Sequence, residues 1–139
     1  MQSNSTRETL LPFTKLVLGV SAVTQIVFAI LGLFLLPLWN SLVWASPLPP
    51  YPVEIARFDF LNYVATGAAS AFALYLGKWS GARVYFVFGF LYNLLSILVV
   101  IITAMNPGVP PIMWLLVLLG VIYLPVVIYV WRTQEQMQA

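Results

Sequence analysis

Four apolar runs, none with an ionisable side chain at its centre, constrain this chain more than anything else in it. They cover residues 16–36, 58–77, 84–103 and 111–131. A membrane-spanning helix needs roughly 20 consecutive apolar residues, and each run supplies about that many. Composition agrees: 62% of the residues are hydrophobic and 7% charged, against about 25% charged in an ordinary soluble domain. So much apolar surface cannot be hidden in a soluble fold of this length, and the solvent is lipid. The expectation is an all-α membrane protein, with four transmembrane helices in one bundle and residues 1–139 forming one domain.

Between the runs, the punctuation is proline, glycine and tryptophan. Pro37 closes the first run, because proline does not continue a helix comfortably. That run is longer than the core of about 7–15 residues in a cleaved signal peptide, so it reads as a retained span. Residues 38–57, LWNSLVWASPLPPYPVEIAR, read as a proline- and tryptophan-rich outer loop between spans one and two. Trp39 and Trp44 in it suit a membrane interface. Its PLPPYP stretch favours polyproline geometry, either as a stiff cap over the bundle mouth or as a PxxP-type ligand. Gly77-Lys78-Trp79-Ser80-Gly81 turns the chain before span three. Pro107-Gly108 marks the turn before span four, which starts at Pro111 and carries Pro125 as a kink. The last residues, RTQEQMQA, read as a short polar tail.

Charge sets the orientation. Arg7, Lys15, Lys78, Arg83 and Arg132 fall on one side of this layout and only Arg57 on the other. The positive-inside bias then places both termini and the 78–83 turn in the cytoplasm. Trp79 and Trp131 map to that inner interface, and Trp39, Trp44 and Trp114 to the outer one. Short loops suit a bacterial plasma (inner) membrane.

Helices in lipid are selected by small residues and side-chain hydrogen bonds. Span two carries Asn62, Thr66, Ser70, Ala73 and Gly77 at three- to four-residue spacing, with alanines over much of the rest, and is expected to be the inner helix that the others pack around. Span one offers Ser21, Gln25, Ala29 and Gly32, and span three Gly89, Asn93, Ser96 and Thr103. A bundle built on these faces places Gln25, Asn62 and Asn93 in its interior, where an unpaired amide costs several kcal/mol. They either pair with one another as interhelical glue or, with Thr66 and Ser96, line a ligand pocket. Glu54, Arg57 and Asp59 form an outer polar mouth: either a capped helix start, with Glu54 and Arg57 three residues apart, or a small polar site. The fourth span, aliphatic around Gly120, offers Leu116, Leu119 and Tyr123 as a surface for lipid or a partner.

Much chemistry is excluded. The chain has no cysteine and no histidine, which removes thiolate chemistry and the commonest metal ligand and general base. No ionisable group lies at depth, as proton relays and ion paths require. Asp59 is the only aspartate, and Ser70 and Ser96 have no histidine to activate them, so intramembrane proteolysis has no constellation to use. A metal site and a catalytic set are not expected, nor is nucleic-acid binding at a net charge of +2. A pigment held by contacts stays open.

Glu54 and Arg57 at the start of span two, Gly67 and Gly77 within it, and Arg83 after the turn make the layout resemble the small four-helix membrane proteins of the DoxX-like group. That resemblance implies the four-span architecture with an outer loop after span one, and it implies no particular activity. Function is therefore expected to be non-catalytic: an accessory or scaffold subunit of a larger membrane complex, in contact with lipids and other integral membrane proteins. The alternative is a binder or carrier of a lipid, isoprenoid or quinone in the bundle interior. A membrane enzyme using the outer mouth is the third reading.

Overall fold

The computed structural model describes residues 8–44, 53–105 and 112–138, with side chains placed except at 43, 44, 53–56, 58, 59, 103, 104, 112 and 113. Among these residues the chain is helical apart from one isolated bridge, Thr9 to Lys78. The helices are α1 (Pro12–Phe34), α2 (Leu36–Trp44), α3 (Val53–Leu76), α4 (Trp79–Ala104) and α5 (Ile112–Gln138). Three hold long apolar segments able to cross a membrane: Pro12–Phe34, Trp79–Ile102 and Trp114–Gln138. A shorter apolar helix, Phe60–Leu76, lies in α3.

The helices form two antiparallel pairs, α1 along α3 and α4 along α5, with a shorter contact between α3 and α4. The α1–α3 seam is built from small residues. Ala22, Ala29 and Gly32 are buried on α1, and Gly67, Ser70 and Ala73 on α3. Gly67 lets the two helices approach closely: a Cβ there would lie 3.1 Å from Gln25 Cβ, so one of them would have to shift by a few tenths of an ångström. Such close backbone approach takes the place of the hydrophobic drive that lipid does not supply. Ser70 Oγ adds a buried hydrogen bond to the Leu18 carbonyl at 2.8 Å. On the α4–α5 seam, Asn93 Nδ2 donates to the Gly120 carbonyl at 2.9 Å.

Several expectations change. Span two is not the hub, because α3 packs chiefly on α1, whereas α1 touches α2, α3 and α5. The first helix does end just ahead of Pro37, at Phe34, but the chain does not become loop there. The chain bends at Leu35 and resumes as α2, with Pro37 in the first turn, where its missing N–H is not needed. Residues 36–44 are thus helix, and the PLPPYP stretch and the Pro107-Gly108 turn lie outside the described residues. Trp39 of α2 packs edge-on against Phe28 and Phe60, at 5.4 and 5.7 Å between ring centroids. The turn after α3 is short, because Gly77 adopts φ +64°, a left-handed helix stop that suits glycine.

The polar "tail" is the last part of α5 and fastens the charged end of the molecule. Gln134 is fully buried. Its Oε1 accepts from the Leu11 N–H and the Thr14 hydroxyl, both at 3.0 Å, and its Nε2 donates to the Thr9 carbonyl at 2.9 Å. Glu8 caps α4: its carbonyl accepts from Trp79 N–H at 2.7 Å and its carboxylate from Ser80 N–H at 3.2 Å. Trp79 Nε1 donates to Glu135 Oε1 at 2.9 Å, and Arg83 Nε reaches the same oxygen at 3.3 Å. Trp79 is therefore a buried plug (1% exposed) rather than an interface anchor. It packs on Trp131 with ring centroids 5.4 Å apart.

Candidate functional site

Because the two helix pairs are tied chiefly at the charged end, a cleft of about 470 Å³ remains between them. Its walls come from α1, α4 and α5, with Tyr63 and Thr66 from α3. At its floor the Ser21 hydroxyl is hydrogen-bonded to the Tyr85 hydroxyl. Tyr123 of α5 lines the same part of the cleft. Gly89 makes room for that tyrosine, since a Cβ at Gly89 would lie 3.3 Å from its hydroxyl. Higher in the cleft, the single Thr66 hydroxyl hydrogen is shared between Gln25 Oε1 at 3.0 Å and the Asn62 carbonyl of its own helix at 2.7 Å. Phe28, Phe88, Tyr92, Ile97 and Val100 make the surrounding surface apolar or aromatic.

Gln25, Thr66, Asn93 and Ser96 all line this one cleft, as the ligand-pocket expectation requires. Asn62 does not. It is exposed, because steps of four residues drift about 40° each around a helix, leaving it about 80° from Ser70 by the same periodicity. The glue reading describes part of the set: Asn93 spends an N–H on Gly120, and Gln25 spends its oxygen on Thr66. The Gln25 amide nitrogen keeps its two donors for the cleft, with no partner among the described residues. Asn93 Oδ1, Ser96 and Thr24 also belong to the lining.

Leu116, Leu119 and Tyr123 all line the cleft, and of the three only Leu119 is exposed. Tyr123 faces the cleft walls of α1 and α4 instead of standing on an outward surface. The rim residues Leu16, Val20, Phe88 and Leu119 are exposed, so the cleft opens onto the apolar outer surface. Arg57 is exposed, and the Glu54 and Asp59 side chains of the outer mouth lie outside the described residues. No charged side chain lines the cleft. Among the described residues no group of three potential metal ligands exists.

Tyr85 and Ser21 escaped the sequence reading as site residues. The signal available was Gly89 and Gly120 on α4 and α5, two gaps able to admit a long side chain from a neighbour. No family model, curated protein or solved structure matches the chain.

Proposed function

We propose that this chain is a four-span integral membrane protein that binds a neutral hydrophobic small molecule, of the lipid, isoprenoid or quinone class, in the cleft between its helix pairs. The observation that carries the reading is the lining itself. Unspent amide and hydroxyl groups from different helices converge on one apolar cleft that holds no charged side chain. Pockets that bind small molecules have this make-up, apolar walls with a few placed polar groups. Lack of charge selects a neutral head, a carbonyl or hydroxyl that accepts from Gln25 Nε2 or donates to Asn93 Oδ1, with the chain along Phe28, Phe88 and Val100. An anionic head would enter hydrocarbon with no counter-charge, at high cost.

Orientation follows from charge. Lys15, Lys78, Arg83 and Arg132 cluster at the fastened end and Arg57 stands at the other, which favours a cytoplasmic fastened end in a bacterial inner membrane. The accessory-subunit reading is less well supported, because the residues that would form its contact surface belong to the cleft wall.

The test is gentle extraction in mild detergent, solvent extraction of the purified protein, and mass spectrometry of what comes with it. A discrete neutral lipophile is expected near one per chain. Gln25→Met, which keeps the bulk and loses both donors, is expected to lower its occupancy about tenfold, the worth of one good hydrogen bond. Ser96→Phe, which fills the space, should abolish it. An empty cleft in the wild type, or occupancy indifferent to both changes, would overturn the reading.

A further inference from the structure

A second feature of the α4–α5 pair lies on its other side, away from the cleft. A groove of about 320 Å³ runs between Phe86, Val87, Phe90 and Leu91 on α4 and Val127, Ile128, Trp131 and Arg132 on α5. Each helix contributes positions i, i+1, i+4 and i+5, two neighbouring rows on one helix face, so the groove follows the helix axes. All but one of these residues are apolar or aromatic, and the exception, Arg132, stands at the charged end. Arg83 beside it is already engaged, in an ion pair with Glu135 and with its guanidinium 5.0 Å from the Trp131 ring centre. Arg132 is exposed and has no ion-pair partner among the described residues.

We infer that this groove is a binding site for an anionic phospholipid, one acyl chain lying along Val87, Leu91 and Ile128 and the headgroup phosphate on Arg132. Charge complementarity selects the occupant. A guanidinium presents a planar fork matched to phosphate oxygens, and the neighbouring Glu135 carboxylate is already neutralised by Arg83. Trp131 sits between the apolar groove and the charged end, the level at which tryptophan meets headgroups. A protein partner would need a matching acid at this depth, and a zwitterionic lipid would set its own cation against Arg132. The groove shares no residue with the cleft, so the two sites fail or stand separately.

The full-length protein is exchanged into micelles carrying equal amounts of phosphatidylglycerol and phosphatidylcholine, and lipid retention is read by native mass spectrometry. Wild type is expected to retain phosphatidylglycerol about fivefold over phosphatidylcholine, roughly what one surface cation contributes. Arg132→Gln, at an exposed position that leaves the fold intact, should bring the ratio near one. Val87→Trp, which fills the groove with apolar bulk, should lower retention of both lipids, while Lys15→Gln, on α1, should change neither. An unchanged preference in Arg132→Gln would overturn the inference. So would an equal loss in Lys15→Gln, which would mark a general surface-charge effect, or full retention in Val87→Trp.

Discussion

Replacing Gln134 by leucine removes three hydrogen bonds while keeping a side chain of similar size. The amide oxygen serves Leu11 N–H and the Thr14 hydroxyl, and the amide nitrogen serves the Thr9 carbonyl. Thr9 is exposed, so water can take over at its carbonyl. Thr14 is only 1% exposed, and Leu11 N–H sits at the start of α1, where no side-chain cap is present. Two donors are thus stranded, at about 1–3 kcal/mol each, partly offset by the added apolar burial. Bilayer-buried hydrogen bonds average a smaller value, about 0.6 kcal/mol, because a helix unfolded in lipid still finds partners. That discount does not apply here. Glu8, Lys78 and Arg83 surround this end, and the released strand of residues 8–11 would reach water. The expected loss is therefore about 2–4 kcal/mol. It is measured by titrating purified protein with a denaturing detergent and following the fluorescence of Trp79 and Trp131, which sit against this end of the bundle. Pairing with Thr14→Val in a double-mutant cycle should give coupling of about 1 kcal/mol or more. A loss below about 1 kcal/mol, or simple additivity with Thr14→Val, would refute the view that Gln134 fastens the two helix pairs.

Three further changes probe the rest of the frame. Gly32→Ala would put a Cβ between 1.9 and 2.2 Å from three Phe60 ring carbons, a ring held between Trp39 and Tyr63. It should cost about 3 kcal/mol, and Phe60→Leu in the same chain should recover most of this in the same detergent titration. Ser70→Ala strands no donor and removes one bond to the Leu18 carbonyl, so the loss should stay between about 0.6 and 1.7 kcal/mol; a larger value would mean that the seam depends on more than close packing. Hydrogen bonds from the Ser80 side chain and backbone, with Lys78 nearby, hold the Glu8 carboxyl below its ordinary value of 4.5. A depressed folded value means that this carboxylate stabilises the protein above the ordinary value and stops doing so as the pH falls through the folded one. Unfolding midpoints measured from neutral pH down should therefore fall below about pH 4.5, and Glu8→Gln should remove that part of the acid dependence.

The apolar cores of the long helices were legible because hydropathy over twenty residues is a strong signal, and hydrogen bonds at the ends are not part of it. α4 begins at Trp79 rather than 84 because Glu8, far away in sequence, caps it. α5 runs to Gln138 because Gln134 continues the stripe of Gly120, Tyr123, Val127 and Val130. A glutamine on that stripe is the clue that the "tail" is structural. Pro37 marked the end of α1 but hid α2, because a proline that stops one helix can open the next, where its missing N–H is not needed. Gln25, Thr66, Asn93 and Ser96, which spacing grouped, all line the one cleft. Asn62 lies outside its lining, since steps of four residues drift off the face. Spacing left out Tyr85, whose ring reaches the site from a buried position.

On the proposed reading, the occupant of the cleft would be decided by the polar atoms on its walls and hardly at all by its volume. A protein in water must fill or collapse an apolar gap, because exposing its walls costs about 25 cal/mol per Å². In a bilayer, acyl chains wet the same walls at almost no cost, so an apolar gap between helices is neither a defect nor a site. Amide groups are different, because hydrocarbon offers them nothing. A lipid tail that wandered into the cleft would leave the two Gln25 N–H groups and the Asn93 carbonyl unpaired, several kcal/mol in a medium without water. A molecule bringing one carbonyl or hydroxyl to that depth recovers part of that sum, and its apolar remainder replaces the lipid tail at no loss. Selectivity for a neutral, weakly polar head would therefore arise from two or three amide atoms, and Gln25→Met tests the proposal more sharply than any change to the apolar walls. Ile97→Leu or Val100→Leu should leave the bound species unchanged, while Gln25→Met should replace it with ordinary lipid.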